Sequence, residues 1–174
     1  MHLRIKKISL QLTHNTNKFI PIKFPITLIC ENVSNAPNIG SLFRIADAMG
    51  IEKLIFCGNN IPLGKRMTKT SRSTENYVDF EVYESIESII DRFNSHYLIA
   101  LEITENSQPI HSLSIGSNKP IALIIGNENY GISESVLKKC DDIFHIDMYG
   151  NNSSMNVVTA TSIALYEITK QFNT

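Results

Sequence analysis

Ile146-Asp-Met-Tyr-Gly150-Asn-Asn-Ser-Ser-Met155-Asn156-Val-Val-Thr-Ala160 passes from a polar, turn-forming loop straight into an apolar helix, and the rest of the chain is organised around it. Gly150, Asn151, Asn152, Ser153 and Ser154 are turn and cap residues. Val157, Val158, Ala160, Ile163, Ala164 and Ile168 form a wide apolar face at helical spacing. The stretch therefore delivers polar groups at a helix N-terminus beside a buried stripe. Such an end offers unpaired backbone N–H groups and partial positive charge, which suits a polar or anionic ligand, although a ligand-free C-terminal helix with ordinary caps has the same pattern. Two further stretches separate these readings.

Working outward, short apolar runs at 26–30, 53–57, 97–101, 121–125 and 143–146 read as buried strands, and Tyr77-Val-Asp-Phe-Glu-Val-Tyr83 alternates like another. Between them the spacing predicts helices over about 39–49, ended by Gly50, over 85–93 and over 133–139. Strands that are apolar throughout and alternate with helices predict an α/β fold, a mostly parallel sheet covered by helices on both faces. In such sheets ligands bind beyond the carboxyl ends of the strands. The loops after Cys30, Leu101, Ile125 and Ile146 should therefore converge on one rim. Residues 1–24 read as an N-terminal arm, with Leu3, Ile5, Ile8, Leu10 and Leu12 alternating at first.

The length of 174 residues fits one domain with a real core, and 43% hydrophobic with 19% charged residues is an ordinary globular composition. The longest apolar run, Ile121-Ala-Leu-Ile-Ile125, is far too short to cross a membrane. Arg4, Lys6 and Lys7 interrupt the N-terminus where a secretory signal would be continuously apolar, so a cytoplasmic protein is expected. Cys30, Cys57 and Cys140 are odd in number and widely spaced, which predicts buried free thiols and no disulfide frame. His2, His14, His96, His111 and His145 show no ligand spacing, so no metal is expected.

A net charge of −1 gives no global basic field. Locally, Lys65, Arg66, Lys69 and Arg72 stand among Thr68, Thr70, Ser71 and Ser73, a mixture of cations and hydroxyl donors that suits phosphate contacts from a loop, or simply a solvated loop. Asn38-Ile-Gly40-Ser-Leu-Phe-Arg44 places Arg44 near the N-terminus of the predicted helix, where a cation opposes the helix dipole unless an anion or a carboxylate partners it. Gly126-Asn-Glu128-Asn-Tyr-Gly131 follows a buried strand: Gly126 lets a ligand approach the backbone, and Gly131 permits a left-handed turn. Glu128 between them needs a donor or a cation if it is buried. The Lys-Ser/Thr of a phosphate loop and the spacing of a dinucleotide fingerprint are both missing.

Taken together, three ordered motifs resemble those of the SPOUT superfamily, specifically the TrmH/SpoU-type RNA 2′-O-ribose methyltransferases. Asn38-Ile-Gly40 with Arg44 resembles the first motif and Gly126-Asn-Glu128 with Gly131 the second. Ile146-x-Met148-x-Gly150 with Ser154-Met155-Asn156-Val157 resembles the third. The resemblance covers about residues 25–172 and implies a C-terminal deep trefoil knot, a rare exception among folds. It implies S-adenosylmethionine as cofactor, held at Leu101, Gly126, Ile146, Ser154 and Met155. It also implies RNA as substrate, with Lys65, Arg66, Lys69 and Arg72 on its phosphates, and a homodimer whose site draws on both subunits.

Arg44 matches the family's proposed base. A guanidinium is rarely deprotonated, so two roles follow: it takes the proton after strong desolvation, or it binds phosphate and polarises the hydroxyl while water takes the proton. Asn38, Glu128, Ser154 and Asn156 would orient Arg44 and the ribose. Asp147 stands where the family usually has proline and Val158 where it often has serine, and Pro37 directly precedes Asn38; these departures bear on loop shape and substrate choice. The compact chain resembles the minimal transfer-RNA enzymes of the group, so transfer RNA is the expected substrate and ribosomal RNA the alternative. A knotted RNA-binding module without catalysis, and a small-molecule nucleotide-binding domain, are the readings from other classes.

Overall fold

The computed structural model describes residues 11–12, 16, 19–116 and 119–172. Alternation decides its core. In β1 (Phe24–Glu31), Leu28 and Cys30 point to one face and Ile29 to the other. β4 (Tyr97–Leu101) and β6 (Ile121–Ile125) do the same with Ile99 against Leu98 and Ala100, and with Leu123 and Ile125 against Ala122 and Ile124. Both faces of these three strands are therefore apolar and must be covered. The first face packs against α1 (Ala36–Ala48) and α4 (Val157–Phe172). The second packs against Ile86, Ile89, Ile90 and Phe93 and against α3 (Glu134–Leu137).

β2 (Ile51–Cys57), β3 (Phe80–Tyr83), β5 (Gln108–Pro109) and β7 (Asp142–His145) complete a seven-stranded sheet of order β3-β2-β1-β6-β4-β7-β5, with every pairing parallel. The order carries a consequence for threading. β7 lies between β4 and β5, so the segment 102–107 that joins those two strands crosses the end of β7. Beyond that crossing the chain reaches α4, whose Gln171 donates from Nε2 to Leu113 O at 2.9 Å and accepts from Ile115 N at 2.9 Å. A C-terminal trefoil knot requires such an arrangement.

Several elements differ from the sequence expectation. α1 starts three residues earlier, because Asn35 caps it (Asn38 N to Asn35 Oδ1, 3.2 Å) and Pro37 is tolerated in its first turn. The basic stretch is a helix, α2 (Lys65–Ser71), and not a loop. Its hydroxyls back-bond within the helix, Thr68 to Lys65 O and Thr70 to Arg66 O, and it packs so closely on α1 that a side chain at Gly40 would collide with Met67 O and Thr70. Tertiary packing has overridden the weak helix propensity of Thr and Ser. Over 85–93 only a 3-10 turn forms, Ile90–Phe93, although its apolar residues are buried as their spacing requires. The strand expected over 77–83 is reduced to β3. Most of the N-terminal arm, including Leu3, Ile5, Ile8 and Leu10, lies outside the described residues.

Candidate functional site

The carboxyl ends of β1, β4, β6 and β7 do meet on one rim, and there a cleft of about 1130 Å3 opens. Leu101, Ile125, Ile146, Met148, Val157 and Ala160 give it apolar walls, and Asn38, Gly126, Glu128, Ser154, Met155 and Asn156 lie along it. Its ionisable lining is Glu102, Glu128, Tyr130 and His145; among the described residues no Lys or Arg faces it. The cleft therefore mixes polar and apolar lining and has Glu102 and Glu128 as its acidic residues.

A hydrogen-bonded chain spans one side of it. Asn156 Nδ2 donates to Asn38 Oδ1 at 3.1 Å, and Asn38 Nδ2 donates to Glu128 Oε1 at 2.9 Å. The Ser34 N–H reaches Glu128 Oε2 at 3.4 Å. Asn156 owes its pose to α4: its Oδ1 accepts from Val158 N at 2.9 Å and Thr159 N at 3.4 Å, satisfying amides that the helix start leaves unpaired. The third stretch of sequence thus caps a helix and reaches the first and second with the same side chain. Ser154 is exposed on the cleft wall.

The glycine loop is built for closeness. Asn127 and Gly131 bridge in both directions, at 3.1 and 2.9 Å, and Gly131 adopts the expected positive φ, 67°. A side chain at Gly126 would strike the backbone of Gly131, so Gly126 serves the fold of the loop itself as well as lining the cleft.

Arg44 is elsewhere. Because α1 begins at Ala36, Arg44 sits about 12 Å along the helix axis, beyond reach of the first-turn dipole, and the unfavourable placement expected from sequence does not arise. It is exposed, makes no hydrogen bond or ion pair among the described residues, and does not line the cleft of its own chain. It lies one turn beyond Gly40, on the side of α1 that receives α2. On α2 and its left-handed cap, Lys65, Arg66, Lys69 and Arg72 are all exposed and free of ion pairs among the described residues.

All three cysteines are free thiols. Cys30 and Cys57 are buried and Cys140 half-buried. Burial pushes Cys57 and Cys140 up to about 12, with nearby carboxylates adding to the shift, and raises Cys30 well above the thiol range. These are inert core groups, unsuited to nucleophilic work. Among the described residues no set of three or more His, Cys, Asp or Glu is placed to hold a metal, and no helix is long and apolar enough to cross a membrane. Sequence reasoning missed Glu31 and Glu102, whose carboxylates accept from Ser133 N and Ile132 N behind the glycine loop. Single acidic residues at strand ends give no periodic signal.

A parallel α/β sheet of this strand order, with a cleft at its carboxyl rim, belongs to a narrow class. Known sequences place the chain within it: the family described as SpoU rRNA methylase matches residues 25–166, and the chain belongs to that family. A Staphylococcus saprophyticus protein described as a TrmH family tRNA/rRNA methyltransferase is 28% identical over 156 residues, 87% of this chain and 61% of that one. The chain thus spans about three fifths of the length of that curated relative. Among solved structures, a TrmH/SpoU tRNA modifying enzyme from A. aeolicus superposes with a TM-score of 0.78 at 24% identity, covering 88% of this chain and 78% of that one. The SpoU methyltransferase AviRb from Streptomyces viridochromogenes, in complex with AdoMet, gives 0.74 at 25% identity, over 88% of this chain and 63% of that one.

Proposed function

We propose that this chain is an S-adenosylmethionine-dependent RNA 2′-O-ribose methyltransferase acting on transfer RNA, in the cytoplasm and as a homodimer. The observation that carries the reading is the Asn156–Asn38–Glu128 chain of hydrogen bonds, which joins three distant motifs along one cleft. The relative from A. aeolicus, a tRNA modifying enzyme, supports transfer RNA; the family's description supports ribosomal RNA as the alternative.

The donor set fits the cofactor. Apolar walls at Leu101, Ile125 and Ile146 suit an adenosine, and exposed backbone on the loops after β4, β6 and β7 suits its polar edges. The carboxylate of Glu128, with no Lys or Arg lining the cleft beside it among the described residues, suits a cationic ligand and disfavours a phosphorylated one. Bound there, S-adenosylmethionine would supply a methyl group activated by its sulfonium charge. The protein's share is positioning, which by itself can be worth ~7–11 kcal/mol of barrier. Glu128, held by Asn38 and Ser34, and Ser154, which lines the same cleft, would orient the ribose hydroxyl.

Arg44 completes such a site from a second copy. An unpaired, exposed arginine has no desolvated environment within its own chain, and Ile163 and Tyr166 on α4 are exposed as an intersubunit face needs. Either proposed role, proton acceptor or phosphate and ribose binder, then depends on the dimer. The cations of α2 stand on the same side as Arg44 and would contact RNA phosphates.

The position of Arg44 outside the cleft also favours one other reading, a knotted RNA-binding module without catalysis. Methyl transfer from labelled S-adenosylmethionine to unmodified transfer RNA and ribosomal RNA separates the two, with the product nucleoside identified by mass spectrometry. A 2′-O-methylated nucleoside that is lost with Arg44→Ala supports the enzyme. RNA binding that needs neither cofactor nor Arg44, with no transfer, supports the module.

A further inference from the structure

The loop over 126–133 is gripped from both sides by carboxylates that belong to neighbouring strands. β6, which leads into it, lies between β1 and β4. Glu31 ends β1, is 4% exposed, and accepts the Ser133 N–H at 3.0 Å through Oε2. Glu102 follows β4 directly and accepts the Ile132 N–H at 3.0 Å through Oε2, while its Oε1 accepts its neighbour Ile103 N–H at 2.9 Å. Two consecutive amides therefore point to two acidic residues 71 positions apart in sequence (102 − 31), and Asn32 O adds a third anchor by accepting from Asn127 Nδ2 at 2.7 Å. The loop is thus held at Asn127, Ile132 and Ser133 by acceptors that lie outside its own turn. Gly131 and Ile132 line the cleft, and Gly131 packs directly against the Glu102 carboxylate.

We propose that Glu31 and Glu102 are positioning residues: they set the conformation of the 126–133 loop, and through it the affinity of the cleft for the cofactor and for its demethylated product. The inference rests on the functional reading above for the identity of that ligand. The grip itself stands on geometry alone.

Calorimetric titration of S-adenosylmethionine and S-adenosylhomocysteine, with hydrogen exchange at the 131–133 amides, tests both halves on the full chain and on Glu102→Gln, Glu102→Ala and Glu31→Gln. The glutamines retain an acceptor oxygen and are expected to hold both ligands within about threefold of wild type. Glu102→Ala is expected to weaken both ligands by about tenfold and to unprotect the Ile132 amide, while β1 and β6 stay protected. Wild-type affinity in Glu102→Ala overturns the proposal, as does a loss of protection throughout the sheet, which would mark a purely structural role. Weakening confined to S-adenosylmethionine also overturns it, because it would mean that Glu102 acts on the sulfonium charge. A wild-type chain that binds neither ligand overturns the functional reading, and protected 131–133 amides in that same chain would show the grip to be real.

Discussion

Asn156 donates to Asn38 across 118 positions of sequence, with Nδ2 and Oδ1 3.1 Å apart, and the same Asn156 caps α4 with its other amide atom. One side chain thus couples the start of the C-terminal helix to the first turn of α1, and substitutions can separate the two duties. Asn156→Ala removes both and should cost about 1 kcal/mol in chemical denaturation for the lost cap. Asn156→Asp keeps a cap acceptor but cannot donate to Asn38. It should unfold near wild type while losing methyl transfer, and methyl transfer at the wild-type rate in Asn156→Asp would dissociate the hydrogen-bonded chain from function.

A site shared between subunits makes a different prediction. Arg44→Ala leaves the cleft intact and Glu128→Ala leaves Arg44 intact, so a mixed dimer holds one complete site. Two inactive variants, mixed and allowed to exchange subunits, should recover about a quarter of wild-type activity, since half of the dimers are mixed and each has one working site of two. No recovery, with subunit exchange demonstrated, would place Arg44 and Glu128 in the service of the same chain's site.

The sheet was legible because burial on both faces leaves unbroken apolar runs such as Ile121–Ile125, and the carboxyl-end rim followed from the parallel order. The motif residues of the rim were legible for the same reason, being polar or glycine where strands end. Helix identity was less so. Lys65–Ser71 is rich in Thr and Ser and forms α2 only because Gly40 allows α1 to approach it, a contact between segments that local pattern does not encode. The expected start of α1 falls three residues late because the turn formers just before Asn38 serve the helix itself, Asn35 as its cap and Pro37 in its first turn. That shift of three residues is what moved Arg44 from a helix end to a helix middle.

Gly131 is the position where a single methyl group should do most harm. Its φ of 67° is left-handed, and an added Cβ would meet the Glu102 carboxylate, so Gly131→Ala is both strained and crowded. A cost of about 1–3 kcal/mol is expected in thermal or chemical denaturation, along with weaker cofactor binding. Gly64→Ala is the control: its Cβ would meet nothing within 4 Å, and stability should stay within about 0.5 kcal/mol of wild type.

The cations of α2 should act on RNA without touching the cleft. Each of Lys65, Arg66, Lys69 and Arg72 that contacts a phosphate contributes to the salt dependence of binding. Its replacement by Ala should lower the slope of log K against log salt by about 0.7–0.9. Cofactor titrations of the same variants should be unchanged. An unchanged slope would return α2 to a solvated surface helix.

The buried thiols fix how the fold responds to alkali. Burial, with Glu31 and Glu87 adding repulsion, raises Cys57 from the ordinary 9.0 to about 12, and burial also holds Cys30 well above the ordinary thiol range. The unfolded chain therefore loses these protons near pH 9, while the folded chain keeps them. Where the folded state binds more protons than the unfolded state, stability falls as pH rises. Stability should accordingly be insensitive to these groups below about pH 8 and decline from pH 9 towards 12. Cys57→Ala should be less stable at neutral pH, because it leaves a small void, yet its decline above pH 9 should be shallower than that of wild type. Denaturation midpoints taken between pH 7 and 11 on both proteins decide this, and parallel curves would mean that Cys57 does not carry the alkaline response.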